Sequence, residues 1–304
     1  MFEAPHNWDI YYDDVVSKCE SYISFGYWED IELYQLRSWL SNFETDEEKY
    51  FSACILDALV YRSRSMVKSS FKNIASSIVP KFLKKNSIPY DSNIDDWLTR
   101  LKEGKKVPIR FVSVENVDNK AGKSGSVIIR DLIETLDLAK HVTQIPENVP
   151  KFPDEVKAII LVDDFAGTGS QFVDFFKKNI DPYNIRVPIL YTPLAAHQDA
   201  INYIEQQLPQ VEVVPVELLS QDDSFFSPIN GYFRGDNKNN VTDAKAFYLE
   251  MCERTPLKGK EFLLGKGELC LTFAFHLSTP NNNLKVIYHD SEENGWSRLL
   301  YRRK

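Results

Sequence analysis

The sequence has few cysteines and uses none of them in pairs. Cys19, Cys54, Cys252 and Cys270 are far apart and show no C-x-x-C spacing, which argues against both a zinc site and the disulfide framework of a small secreted domain. They are expected as reduced, mostly buried thiols. Long apolar runs are also missing, so no segment is suited to crossing a membrane as a helix. The start, Met1-Phe2-Glu3-Ala4-Pro5-His6, lacks the basic region and apolar stretch of a secretory leader, and a cytoplasmic protein is expected. There is no internal repeat and no low-complexity tract. The net charge of −8 is moderate for 304 residues and Lys and Arg are scattered along the chain, so the footprint of an autonomous nucleic-acid binder is not evident. What is present is core material: 43% apolar and 13% aromatic residues suit one large domain or two ordinary ones that fold without staples.

Apolar residues recur at helical steps from about Trp8 to Asn86, as in Leu33, Leu36, Trp39, Leu40 and Phe43, then Phe51, Ile55, Leu56 and Leu59. Thr45 and Glu48 form a capping-box pattern, and Pro80 is expected to interrupt the last helix of the region. A short helix around Trp97 and a turn at Glu103-Gly104-Lys105-Lys106 follow. Strand and helix then alternate. Strands are predicted over Val107–Val114, Val156–Val162, Val187–Tyr191 and Val211–Leu218, and helices over Ser126–Leu138, Thr168–Asn179, Gln198–Gln207 and Val241–Glu253. Such βαβ units imply an α/β fold with a mostly parallel sheet flanked by helices. The division expected is a helical N-terminal region over residues 1–105 and an α/β domain over 106–304. Leu269–Leu277 and Leu284–Tyr288 flank Thr279-Pro280-Asn281-Asn282-Asn283 and are predicted as two late strands around a turn.

The chemistry-bearing stretch is Ile159-Ile160-Leu161-Val162-Asp163-Asp164-Phe165-Ala166-Gly167-Thr168-Gly169-Ser170-Gln171. A buried strand ends in two carboxylates and a glycine-containing turn before a helix. The carboxyl end of a parallel strand is where open α/β sheets bind ligands, and the next helix presents unpaired amides to an anion. Gly167 and Gly169 allow close approach of a phosphate, and Thr168 and Ser170 offer hydroxyls. Two carboxylates beside a phosphate would repel it unless they accept hydrogen bonds or hold a cation. A ribose diol meets that need; the alternative is that Asp163 and Asp164 cap the loop and helix. Upstream, Lys123-Ser124-Gly125-Ser126 precedes a helix and is either a second anion-binding turn or a flexible turn and cap.

The Asp163–Gln171 stretch resembles the phosphoribosyl-pyrophosphate loop of type I phosphoribosyltransferases: apolar strand, two acids, three residues, Thr-Gly. By that resemblance Asp163 and Asp164 would bind the ribose 2- and 3-hydroxyls and, as carboxylates, an Mg²⁺ ion. Ala166, Gly167, Thr168, Gly169, Ser170 and Gln171 would surround the 5-phosphate. Lys123, Ser124 and Gly125 would lie beside the pyrophosphate with Arg130 nearby, offsetting charge as it leaves. Two positions depart from the pattern. Gln171 replaces the usual final Ser or Thr, and Gly167 stands where purine-salvage enzymes carry a base-contacting carboxylate.

Trp39-Leu40-Ser41-Asn42-Phe43, the Asp163–Gly169 loop, and Thr279–Leu284 followed by Trp296, Leu299 and Arg302 together resemble a narrower family. It is the phosphoribosyltransferase-like family of bacterial conflict and anti-phage defence systems, of the PRTase-CE type. The resemblance implies an effector or toxin that binds phosphoribosyl pyrophosphate or a related nucleotide, in some cases beside a retron reverse transcriptase and its DNA. It leaves open whether a phosphoribosyl group is transferred or released, or the chain is an inactive nucleotide-binding sensor or scaffold.

Other residues invite two readings each. His197, past the strand ending at Tyr191, is an acid/base candidate or a surface histidine. His276 is expected as a packed residue, and His6, His141 and His289 fit no metal-ligand spacing. Phe225, Phe226, Tyr232 and Phe233 either stack a nucleobase or anchor the polar segment Ser220–Asn240 to the core.

Overall fold

The computed structural model describes residues 1–114, 124–229 and 239–302. Helices α1 (Trp8–Ser24), α2 (Leu33–Leu40) and α3 (Asp46–Ala58) come first, then a short strand β1 (Val60–Arg62). The capping box opens α3 as expected: Thr45 Oγ1 accepts the Glu48 N–H at 3.2 Å and the Glu48 carboxylate accepts the Thr45 N–H at 3.4 Å. Helix α4 (Arg64–Asn73), a π-helical turn (Ile74–Ile78) and α5 (Val79–Lys85) follow one another with helical dihedrals at both junctions. Pro80 therefore does not break the helix. It falls in the first turn of α5 just past the π turn, where a missing N–H is tolerated. Helix α6 (Ile94–Glu103) is capped by Asn93 and stopped by Gly104 at φ +75°.

Next come β2 (Ile109–Ser113), α7 (Ser124–Leu136), β3 (Thr143–Gln144), β4 (Ala158–Ala166), α8 (Ser170–Asn179), β5 (Ile189–His197), α9 (Gln198–Gln207), β6 (Val211–Val213) and β7 (Glu217–Leu219). Helix α10 (Val241–Arg254), strand β8 (Phe273–Phe275) and helix α11 (Lys285–Tyr288) complete the order.

The chain forms two compact units, Met1–Arg64 with Ser220–Arg303, and Ser65–Leu219. This differs from a single cut near residue 105. The reason is strand pairing: β1 runs parallel to β8, with Val60 opposite Phe273 and Arg62 opposite Phe275, so the early helices and the late segment share a core. In that core Phe51 meets Phe225, Phe226 and Tyr248, and Trp39 Nε1 donates to the Val286 carbonyl at 2.9 Å. Phe225 and Phe226 thus anchor their segment and are not placed to stack a base; Tyr232 and Phe233 lie outside the described residues. Trp39–Phe43 and the late segment touch directly. Asn42 Nδ2 donates to the Ser297 carbonyl at 2.7 Å, the Ser297 N–H returns the bond at 3.0 Å, and Phe43 packs edge-on to Trp296.

The predicted late hairpin does not form. Leu271 bridges Asn283 in the parallel sense, and residues 285–288 are a helical turn. Asparagine side chains take the backbone groups a hairpin ladder would use: Asn283 accepts the Phe273 N–H and donates to the Pro280 carbonyl, while Asn282 donates to the Lys266 carbonyl at 2.7 Å. Gly265, at φ +81°, lies so close that an added Cβ would sit 2.1 Å from the Asn282 oxygen. Both asparagines are buried.

In the second unit all strands are parallel, in the order β3-β2-β4-β5-β6, with β7 also on β5. The strand predicted over Val211–Leu218 is split into β6 and β7, and Pro215 between them has no N–H for a ladder. The chain leaves β2 through α7 toward β3 on one side, and β4 through α8 toward β5 on the other. Right-handed crossovers in opposite directions place α7 on one face and α8 and α9 on the other. A switch point therefore lies between β2 and β4, at their carboxyl ends. Among the described residues no helix is long and apolar enough to cross a membrane.

Asn283→Ala removes both bonds of a fully buried amide, and the cost expected is about 3 kcal/mol. The urea midpoint of unfolding should fall with an unchanged slope; an unchanged midpoint would mean the asparagine clamp holds nothing.

Candidate functional site

Strand β4 continues through both acids to Ala166, with Phe165 opposite Ala195 and Ala166 opposite Ala196 on β5. The predicted strand stopped at Val162, which left Asp163 and Asp164 beyond it and free to face one ligand. Inside a strand neighbouring side chains alternate between faces, yet here the Asp163 and Asp164 carboxyls still reach one another. Ile159 and Leu161 face α8 and α9, in one cluster with Phe172, Phe176, Tyr191 and Ile204, and Asp163 is turned into the interior, 7% exposed. Its Oδ1 accepts the Asp164 N–H at 2.9 Å and its Oδ2 accepts the Tyr191 hydroxyl at 2.9 Å. Tyr191 lies flat on Phe172, ring centroids 3.7 Å apart.

The two acids stay together at the strand tip, where the Asp163 and Asp164 carboxyls interact. Asp163 is the more buried of the two, and each of its oxygens already accepts one hydrogen bond. Asp164 is half-buried, and its Oδ1 accepts the Phe165 N–H at 2.8 Å. Among the described residues no group of three or more His, Cys, Asp and Glu could hold a metal ion on its own. Burial first, and then the neighbouring Asp164, push the Asp163 carboxyl well above the ordinary carboxylate range, although the Tyr191 bond favours its ionised form. Burial and then Asp163 likewise raise the Tyr191 hydroxyl.

Beyond β4, Gly167–Gly169 make a tight turn into α8. Gly169 has φ +76°, and a Cβ there would lie 2.8 Å from the Ala200 carbonyl oxygen and 3.0 Å from Ile204 Cγ1. Only glycine combines that conformation with so close an approach of α9. As the N-cap it supplies no side chain to the first amides of α8, and no acid occupies that first turn. The positive end of the helix dipole thus meets the turn without a capping side chain from Gly169. Thr168 and Ser170, both half-buried, have their hydroxyls 3.1 Å apart, and Gln171 is exposed. Ala166, Gly167, Thr168, Gly169, Ser170 and Gln171 run from the last residue of β4 through the turn into the first residues of α8, whose N-cap is Gly169.

The second anion loop is placed in part. Ser124 and Gly125 begin α7 after β2, and Lys123 lies outside the described residues. Arg130 is exposed on α7, about 9 Å along the axis from its start. His197 is not a surface histidine. It is 1% exposed at the carboxyl end of β5, and its Nδ1 accepts the Asp199 N–H at 3.2 Å, capping α9. His276 is half-buried beside β8. Tyr191 is the residue sequence reasoning missed, and a signal was available, since a tyrosine in an aliphatic strand needs a partner for its hydroxyl. A cleft of about 610 Å³ lies at the amino ends of β5 and β6, lined by Ile189 and Val211. That is the wrong end of the strands for ligand chemistry in a parallel sheet.

Because Asp163 keeps its proton in the folded chain to a higher pH than in the unfolded chain, the native state binds more protons above about pH 4. Its contribution to stability therefore falls as pH rises from there toward the raised value. Asp163→Asn, whose Oδ1 can still accept the Asp164 N–H and whose Nδ2 would donate to the Tyr191 oxygen instead of accepting from it, should gain stability relative to wild type across that window, as measured by urea unfolding at stepped pH. A constant difference between the two proteins would show an ordinary carboxyl.

Two solved structures are similar at low identity. The AQ2163 protein from Aquifex aeolicus is 12% identical, with 56% of this chain and 84% of that chain covered and a TM-score of 0.33. A purine phosphoribosyltransferase from Pyrococcus horikoshii Ot3 is 13% identical, with 54% and 87% covered and a TM-score of 0.27. No curated protein matches the chain. The sequence as a whole is more telling than these likenesses: the PRTase-CE family model matches residues 36–302, a span that includes β4, its turn and the late asparagine clamp, and the chain belongs to the PRTase-CE family.

Proposed function

We propose that the Ser65–Leu219 unit binds a ribose 5-phosphate group, as part of phosphoribosyl pyrophosphate or a related nucleotide, with phosphoribosyltransferase-like chemistry as the activity to test. The observation that carries this reading is the uncapped start of α8 behind the Gly167–Gly169 turn, at the carboxyl end of β4 beside the sheet's switch point. The first amides of α8 and the Thr168 and Ser170 hydroxyls would receive the phosphate. Asp164 alone of the two acids would accept from the sugar hydroxyls. Asp163 holds the Asp164 backbone N–H and, through Tyr191, ties the strand tip to the core.

Mg²⁺ suits this donor set only as a shared ion. One half-buried carboxylate, Asp164, would provide a ligand, and the phosphates of the bound molecule would provide the rest, which is how Mg²⁺ is commonly held. It would supply charge neutralisation for a departing pyrophosphate. In the cell, the resemblance of the sequence supports an effector of an anti-phage defence system that acts with other proteins of that system, such as a retron reverse transcriptase and its DNA.

A second reading is a nucleotide-binding sensor or scaffold without transfer. The inward turn of Asp163 and the departures at Gly167 and Gln171 favour it. Incubation with phosphoribosyl pyrophosphate and Mg²⁺ separates the two, because pyrophosphate release supports transfer and saturable binding without release supports sensing.

Calorimetry with phosphoribosyl pyrophosphate and Mg²⁺ should show saturable binding by wild type. Asp164→Asn and Thr168→Ala should each weaken it about tenfold or more, the loss of a charge-assisted or phosphate hydrogen bond, and Asp163→Asn should leave it within about threefold. The same two damaging substitutions should abolish phage protection. Absence of binding by wild type, or equal damage from Asp163→Asn and Asp164→Asn, would contradict the assignment.

A further inference from the structure

Charge is segregated along this chain more sharply than its total suggests. Between Asp57 and Asp91 there is no carboxylate side chain, yet the stretch holds Arg62, Arg64, Lys68, Lys72, Lys81, Lys84 and Lys85, in a protein of net charge −8. Within the Ser65–Leu219 unit these lysines are on the continuous rod of α4, the π turn and α5. One face of the rod is apolar and buried through Val67, Phe71, Ile78, Val79, Phe82 and Leu83. From Lys68 to Lys84 every exposed position is Lys, Ser or Asn: Lys68, Ser69, Lys72, Asn73, Ser76, Lys81 and Lys84. Lys85 is held by Glu212 at 2.9 Å, whereas none of Lys68, Lys72, Lys81 and Lys84 is in an ion pair among the described residues.

The π turn sets the alignment. In an unbroken α-helix, at about 100° per residue, Lys81 and Lys84 would lie about 180° and about 120° around the axis from Lys72. The wider turn at Ile74–Ile78 takes up about a quarter of a revolution. That brings Lys84 to within about 30° of Lys72 and Lys81 to about 90°, so the four ammonium groups share one side of the rod over about 24 Å. A π turn costs regular hydrogen bonding and here aligns charge.

We infer that this lysine stripe docks along the phosphate backbone of a double-stranded nucleic acid. Its length matches about seven base-pair steps of rise, along which phosphates recur regularly on each strand. Serine and asparagine between the lysines are suited to hydrogen-bond phosphate oxygens and carry no base specificity. A membrane surface is disfavoured because the apolar face of the helix is already buried in its own unit through Val67, Phe71, Ile78, Val79, Phe82 and Leu83, which leaves only Met66 among its apolar side chains, at the start of α4, exposed. A single strand is disfavoured because no aromatic side chain is exposed between Lys68 and Lys84 to stack a base. The stripe does not depend on the sugar-phosphate site at β4.

Fluorescence anisotropy of the full chain with a labelled duplex of about 20 base pairs, over about 50 to 300 mM KCl, tests the inference. Four phosphate contacts predict a slope of log K against log salt between about −3 and −4. Lys68→Gln/Lys72→Gln/Lys81→Gln/Lys84→Gln should flatten the slope by about 3 units and weaken binding at least about 30-fold at the lowest salt. Its circular dichroism melt and its binding of phosphoribosyl pyrophosphate should be unchanged, and Lys151→Gln/Lys157→Gln should bind the duplex like wild type. No duplex binding by wild type, equal binding by the fourfold variant, or tighter binding to single strands, phosphatidylserine vesicles or polyglutamate would each overturn it.

Discussion

The hydrogen bond from the Tyr191 hydroxyl to Asp163 decides what the tip of β4 can offer a ligand. Adjacent residues within a strand cannot face the same side, and β4 keeps its pairing with β5 as far as Ala166. Asp163 is the buried acid of the pair and interacts with the Asp164 carboxyl, and a buried carboxyl without partners would be costly. Tyr191 and the Asp164 N–H each bond one Asp163 oxygen, and burial together with the neighbouring Asp164 raises the proton affinity of the group. Asp164 and the uncapped start of α8 are left as the chemistry at the surface of the strand end.

The stretches of sequence that carry the family likeness are distributed between two units, and each does local physical work. Trp39–Phe43 and the segment ending at Leu299 are far apart in sequence but form one buried interface through Asn42, Ser297 and the Trp39 indole. The asparagines at 282 and 283 fasten the strand that pairs with β1. In the other unit, the Asp163–Gly169 motif is held by Gly169 against α9.

Much of this was legible in the sequence because the signals were local. The Thr45 and Glu48 cap, the alternation of strands and helices after residue 106, the limits of α9 and the glycine turn before α8 all depend on neighbours a few positions apart. The expectations that changed involve partners distant in sequence. β1 finds β8 across more than two hundred residues, which moves the domain division. The Thr279–Asn283 turn packs sideways instead of closing a hairpin, because the asparagine side chains prefer backbone groups of other segments. The inward turn of Asp163 follows from four extra residues of strand, within the range where strand ends are hardest to place from pattern alone. The lysine stripe was invisible as spacing because a π turn resets the helical register between its two halves.

The account stands most directly on what happens to individual amides when a sugar phosphate arrives. A ¹H–¹⁵N NMR titration of the chain with ribose 5-phosphate should shift the backbone amides of Thr168, Gly169, Ser170, Gln171 and Asp164, while the Tyr191 amide and its hydroxyl bond to Asp163 stay as they are. Shifts confined to the amino ends of β5 and β6, or an Asp163 side chain released from Tyr191 as the ligand binds, would contradict it.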